Sequence, residues 1–162
     1  MNGTTLVLRA LHHGERRLAR QLTAVAEHHR AEHEVHHVAT DLARWSREHA
    51  DRLAEAGHDR GHPAEAPEEH PPSPLTALRE GAAHALGDRP DPGLLLLWDL
   101  RKLHLSASGN SLYWEMLAQA AQAAHDGELL QLASRCHPQT LRQMKWTNTM
   151  MKVLSPQVLT TP

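Results

Sequence analysis

Apolar residues recur at alternating three- and four-residue steps along several long segments of this chain, and nowhere do they alternate one by one. On the first segment Leu8, Leu11, Glu15, Leu18, Leu22 and Val25 hold this spacing, and on the second Val35, Val38, Leu42, Trp45, His49 and Arg52 do. Such steps line one face of an α-helix, so each segment must bury its stripe against other helices. Glu15 and His49 stand where core side chains should be, which points a carboxylate and an imidazole inward on neighbouring helices. An ionised carboxylate taken out of water is costly unless a cation, a metal or several hydrogen bonds compensate it. The pair is therefore either a site or the structural remnant of one.

The stripes divide the chain into two helical hairpins, at residues 5–56 and 93–154. In the first, residues 29–33 make a short turn, inferred from the phase break between the two stripes. Residues 57–74 hold Gly57, Gly61 and five prolines among charged residues and histidines, the composition of an exposed, irregular connection. Residues 75–86 fit a short extra helix, with Ser73 as N-cap, Pro74 at its first position and Gly87 beyond its end. The third long stripe, Leu96, Leu100, Leu103, Ala107, Asn110, Trp114, Leu117 and Ala121, has Asn110 as its polar interruption. Asp126 and Gly127 mark the second turn. Pro138 is expected to kink or divide the last helix, and Ser155 with Pro156 to stop it, leaving 155–162 as a tail. Four helices, two short turns and one long connection describe an all-α, antiparallel four-helix bundle in a single domain spanning 1–162.

Composition narrows the partners. The 17 Lys and Arg balance 19 Asp and Glu, and no basic block tracks a phosphate backbone, so nucleic acid is not an expected partner. One cysteine, Cys136, forbids an intrachain disulfide and any Cys-cluster metal site. With no signal peptide pattern and no long apolar run, no membrane partner is expected and the location is read as cytoplasmic. The 15 histidines, among them His28, His29, His33, His36 and His37 near the first turn, lack metal-motif spacing and read as solvated. The tryptophans read as core and helix-contact residues, and Met144, Met150 and Met151 as packing. Glu115 and His137 are candidates to pair across the last two helices. No nucleophile elbow, phosphate loop or dinucleotide fingerprint supports an enzyme.

If both turns lie at one end of the bundle, Glu15, His49, Asn110 and Gln143 sit sixteen to eighteen residues from turns placed at residues 31 and 126, at nearly one height. They would form a polar core layer, with Ser46 and His12 one turn from its edge. Bundle metal sites gather carboxylates and imidazoles in this way, but Asn110 and Gln143 are neutral amides, better suited to hydrogen-bonding a buried carboxylate. The residues leave two readings open: a satisfied structural layer, or one divalent ion (iron, manganese or zinc) held by Glu15, His49 and His12.

Residues 11–57, with Glu15 in "GERRL" and Glu48, His49, Arg52 and Leu53 in "EHADRL", resemble the first hairpin of ferritin-like stress proteins of the YciF type. The resemblance implies a ferritin-like bundle, whose members hold two metal ions with a Glu on helices one and three and a Glu-x-x-His on helices two and four. Here Ser46 stands three before His49, Asn110 or Ser108 stands at the third-helix position, and Thr140 and Gln143 stand on the fourth. With these departures the resemblance implies an accessory or stress-related protein whose metal site is reduced or absent. The alternatives are a mononuclear metal-binding protein using Glu15 and His49, and a module that self-associates as a homo-oligomer through a helix face.

Overall fold

A computed structural model of the chain describes residues 2–63 and 91–162. Among these residues every regular element is helical: α1 (Gly3–His28), α2 (His33–Asp59), α3 (Pro92–Ala123) and α4 (Gly127–Thr160). The short helix expected at 75–86 and most of the connection lie outside the described residues.

Local chemistry sets the helix ends. Asn2 caps α1 by accepting a hydrogen bond from the Thr5 N–H at 2.9 Å. Asp91 accepts from the Gly93 N–H at 2.6 Å just before Pro92 opens α3, and Asp126 accepts from the Leu129 N–H at 3.1 Å. The end of α2 is a Schellman turn: His62 N–H reaches Gly57 O at 2.8 Å and Gly61 N–H reaches His58 O at 2.9 Å. Gly61 sits at φ +74°, which a side chain would resist, and a Cβ on Gly57 would lie 2.8 Å from the His62 carbonyl. Thus α2 runs three residues further than its expected end at Ala56.

Helix α4 is continuous across both prolines, so the expected break at Pro138 and the stop at Ser155–Pro156 are corrected. Pro138 and Pro156 both face solvent, as do Ser134 and Lys152, whose carbonyls lose a helical donor to them. On a solvent face a carbonyl that loses its helical donor can turn to water instead, which lowers the cost of a proline there.

Contacts place the helices around the bundle in the order α1, α2, α4, α3. Paired positions fall along one helix as they rise along its neighbour. His36 Nδ1 meets Ala26 O at 2.7 Å while Glu15 faces His49, and His104 Nδ1 meets Thr147 Oγ1 at 2.9 Å while Ser111 Oγ meets His137 Nε2 at 2.8 Å. His29, in the first turn, joins Asp99 near the start of α3 at 2.8 Å, whereas Arg60, at the end of α2, joins Asp126 in the second turn at 2.8 Å. The two turns therefore lie at opposite ends of the bundle, not at one end.

The core is in two pieces. One apolar cluster includes Leu18, Leu22, Leu42, Leu100 and Leu103; the other includes Leu8, Leu11, Leu53, Trp114, Leu117 and Leu129. The third-helix stripe is buried at every expected position. On α2 the buried face is turned slightly from the expected stripe: Leu53 is inside and Arg52 faces solvent. Met150 is buried, and Met144 and Met151 pack against the first cluster.

Candidate functional site

Between the two apolar clusters lies a polar layer to which every helix contributes. Glu15 comes from α1, Ser46 and His49 from α2, Asn110 from α3, and Thr140 and Gln143 from α4, all at most 4% exposed. The layer exists although the turns are at opposite ends, because each residue stands near the middle of its helix. Distance from either end is then the same.

The Glu15 carboxylate is the centre of the layer. Its Oε1 accepts from the Trp114 indole N–H at 2.9 Å and lies 3.3 Å from His49 Nδ1. The Trp114 and His49 rings meet edge to face, 5.8 Å between centroids. The other imidazole nitrogen, Nε2, is 2.7 Å from Gln139 Oε1 and donates to it, which fixes the ring. Nδ1 lies outside hydrogen-bond alignment with Oε1. A proton on Nδ1 makes this contact an ion pair, whereas a bare Nδ1 would set two acceptors against each other.

One step along the bundle, Gln143 Nε2 donates to Ser46 Oγ at 2.9 Å and to Leu42 O at 3.1 Å. Ser46 is thus a partner of the amide. Asn110 packs against α1 at Gly14, where a Cβ would stand 2.2 Å from Asn110 Oδ1. Five buried polar atoms of the layer find no hydrogen-bond partner in the protein: Glu15 Oε2, His49 Nδ1, Asn110 Nδ2, Thr140 Oγ1 and Gln143 Oε1. They include two acceptors, Glu15 Oε2 and Gln143 Oε1, and one donor, Asn110 Nδ2, so the protein's own groups leave the layer incompletely paired.

His12 is half-buried at the edge of α1. Burial, then the nearby Arg16 and His13, lowers its pKa below the usual imidazole range against the opposing pull of Asp51. Among the described residues no three His, Cys, Asp or Glu side chains are placed to hold a metal ion, so Glu15, His49 and His12 do not make a three-ligand site. The donor set does not fit a dinuclear centre. Ser46 is held by Gln143, Asn110 and Gln143 bring no charge, and two protein ligands leave two divalent ions uncompensated.

Some residues occupy unexpected places. His29 is buried at 8% exposure and paired with Asp99, not solvated. His137 bonds Ser111, and Glu115 faces solvent. Trp98, expected in the core, is 69% exposed. Trp114, which the third stripe places in the core, and Gln139 and Gly14, which lie in no stripe, also belong to the layer. An indole N–H buried in a core needs an acceptor, and the Glu15 carboxylate on α1 is the one within reach; a lone glycine inside a helix likewise signals close approach. Cys136 is buried in the second apolar cluster, and burial pushes its thiol up to about 11, so it is neutral and unreactive at physiological pH.

Among the described residues no helix is long and apolar enough to cross a membrane. Compared with protein-family models, curated proteins and solved structures, the chain finds no match.

Proposed function

We propose that this chain is an antiparallel, ferritin-like helical bundle in which a buried structural polar layer replaces the dinuclear metal centre, acting as a cytoplasmic accessory or stress-related protein and not as a ferroxidase. The observation that carries the proposal is the Glu15 carboxylate, whose Oε1 already receives the Trp114 N–H while its neighbour His49 is pinned by Gln139. The stress-related role rests on the resemblance of residues 11–57, and the ferritin-like topology is supported by turns at opposite ends of the bundle. The absence of a basic block argues against a nucleic-acid partner.

A second reading, one divalent ion held by Glu15 and His49, draws on the unpartnered Glu15 Oε2 and on the 3.3 Å between Nδ1 and Oε1. Titration with ferrous iron, manganese and zinc, with oxygen uptake followed during iron addition, separates the readings. The structural layer binds no ion tightly and turns over no oxygen. One ion lost in both Glu15→Ala and His49→Ala selects the mononuclear reading, and two tightly held ions per chain overturn the proposal.

A further inference from the structure

Helix α3 has two apolar faces. Its inner stripe fills the core, but Leu95, Trp98, Leu105, Leu112 and Met116 stand on the opposite side, each between 43% and 69% exposed. With Lys102 and Gly109 they fall at successive steps of three and four residues from 95 to 116, the a/d spacing of a helix that pairs with another helix. This outer stripe is about 32 Å long at 1.5 Å per residue. Scattered exposed leucines need no explanation, but a register kept over three heptads does. Gly109 lies mid-stripe with open space around its Cα, at a helix-interior position where glycine weakens the helix. Absence of a side chain there lets a second backbone come close.

We propose that the outer face of α3 is a dimer interface, and that its occupant is α3 of a second copy running in the opposite direction about a two-fold axis near Ser108. Charge decides the occupant and its direction. In this register Trp98 lies opposite Met116, Lys102 opposite Leu112, and Leu105 opposite Gly109. Along one flank Arg101 then faces Glu115 of the second copy, and symmetry repeats the pair, while Ser108 faces its counterpart. Both Arg101 and Glu115 are exposed, and Arg101 lies over the Trp98 ring at 5.6 Å, so its guanidinium is already on this face. A parallel pair would instead set Lys102 against Lys102 in the seam and leave Arg101 away from Glu115. Trp98 and Met116 supply the aromatic and thioether contacts common at such interfaces.

Sedimentation equilibrium of the full chain over a range of concentrations tests this. The expected mass is twice the 18.1 kDa of one chain, falling on dilution. Leu105→Glu should leave a monomer of unchanged helix content by circular dichroism. Arg101→Glu and Glu115→Arg should each weaken the dimer at least about tenfold, because symmetry breaks two pairs at once, and the double reversal should restore it. Ser108→Cys should form a disulfide-linked dimer under mild oxidation. A monomer at every concentration, which would leave the stripe to a different protein's helix, overturns the proposal. So does a dimer that ignores Leu105→Glu or in which the double reversal restores nothing.

Discussion

Glu15 is held in the core through one of its two carboxylate oxygens. The Trp114 N–H and the His49 ring reach Oε1, while Gly14, the residue before it, leaves room for Asn110 to enter from α3. Alanine at position 14 would raise helix propensity by about 1 kcal/mol, yet its Cβ would meet Asn110 Oδ1 at 2.2 Å. With Asn110 only 4% exposed, the amide has little room to retreat. Gly14→Ala is therefore expected to destabilise the fold by about 1–3 kcal/mol in urea unfolding, and Asn110→Ala in that background to recover part of the loss. A stabilised Gly14→Ala variant would show that the two helices are not in close contact there. The inward direction of Glu15 and His49 was legible in the sequence because both fall in phase with leucines. The roles of Trp114 and Gln139 were not, because the register between helices decides which donors meet the carboxylate, and stripes do not encode that register.

At the scale of elements, helix ends and helix faces carry the remaining information. The tie between Arg60 and Asp126 fastens the end of α2 to the turn between α3 and α4, with Asp126 also accepting the Leu129 N–H. The Arg60 hydrogen bond, followed by that backbone bond, lowers the Asp126 pKa below the usual carboxylate range. A group depressed on folding contributes stability that is present above its unfolded value of about 3.9 and is lost as pH falls through the folded value. Asp126→Asn should thus lower stability at neutral pH and reduce the loss seen on acidification, a difference read from thermal melts across pH 2 to 7. Identical pH profiles for the two proteins would contradict the tie. The same scale shows where sequence signals misled. Pro138 and Pro156 read as breaks, but both sit on the solvent face of α4, where a missing bond costs least. Trp98 read as core because it lies two residues from a core leucine, yet two residues along a helix is the opposite side.

For the whole molecule, the polar layer divides one bundle into two apolar halves that all four helices share. An all-helical fold of two hairpins was legible from periodicity alone, because helix stripes of this length have no other use. The placement of the turns at opposite ends was not legible, since either arrangement buries the same stripes. The central claim is that Glu15 and His49 act together as a buried structural pair. Equilibrium urea unfolding of Glu15→Ala, His49→Ala and the paired Glu15→Leu with His49→Leu tests it most directly. Each alanine variant should lose about 2–4 kcal/mol, since each leaves a buried polar partner unanswered, and the double leucine variant should recover most of that loss. Single variants as stable as the parent, or a double variant whose loss is the sum of the singles, would contradict the account.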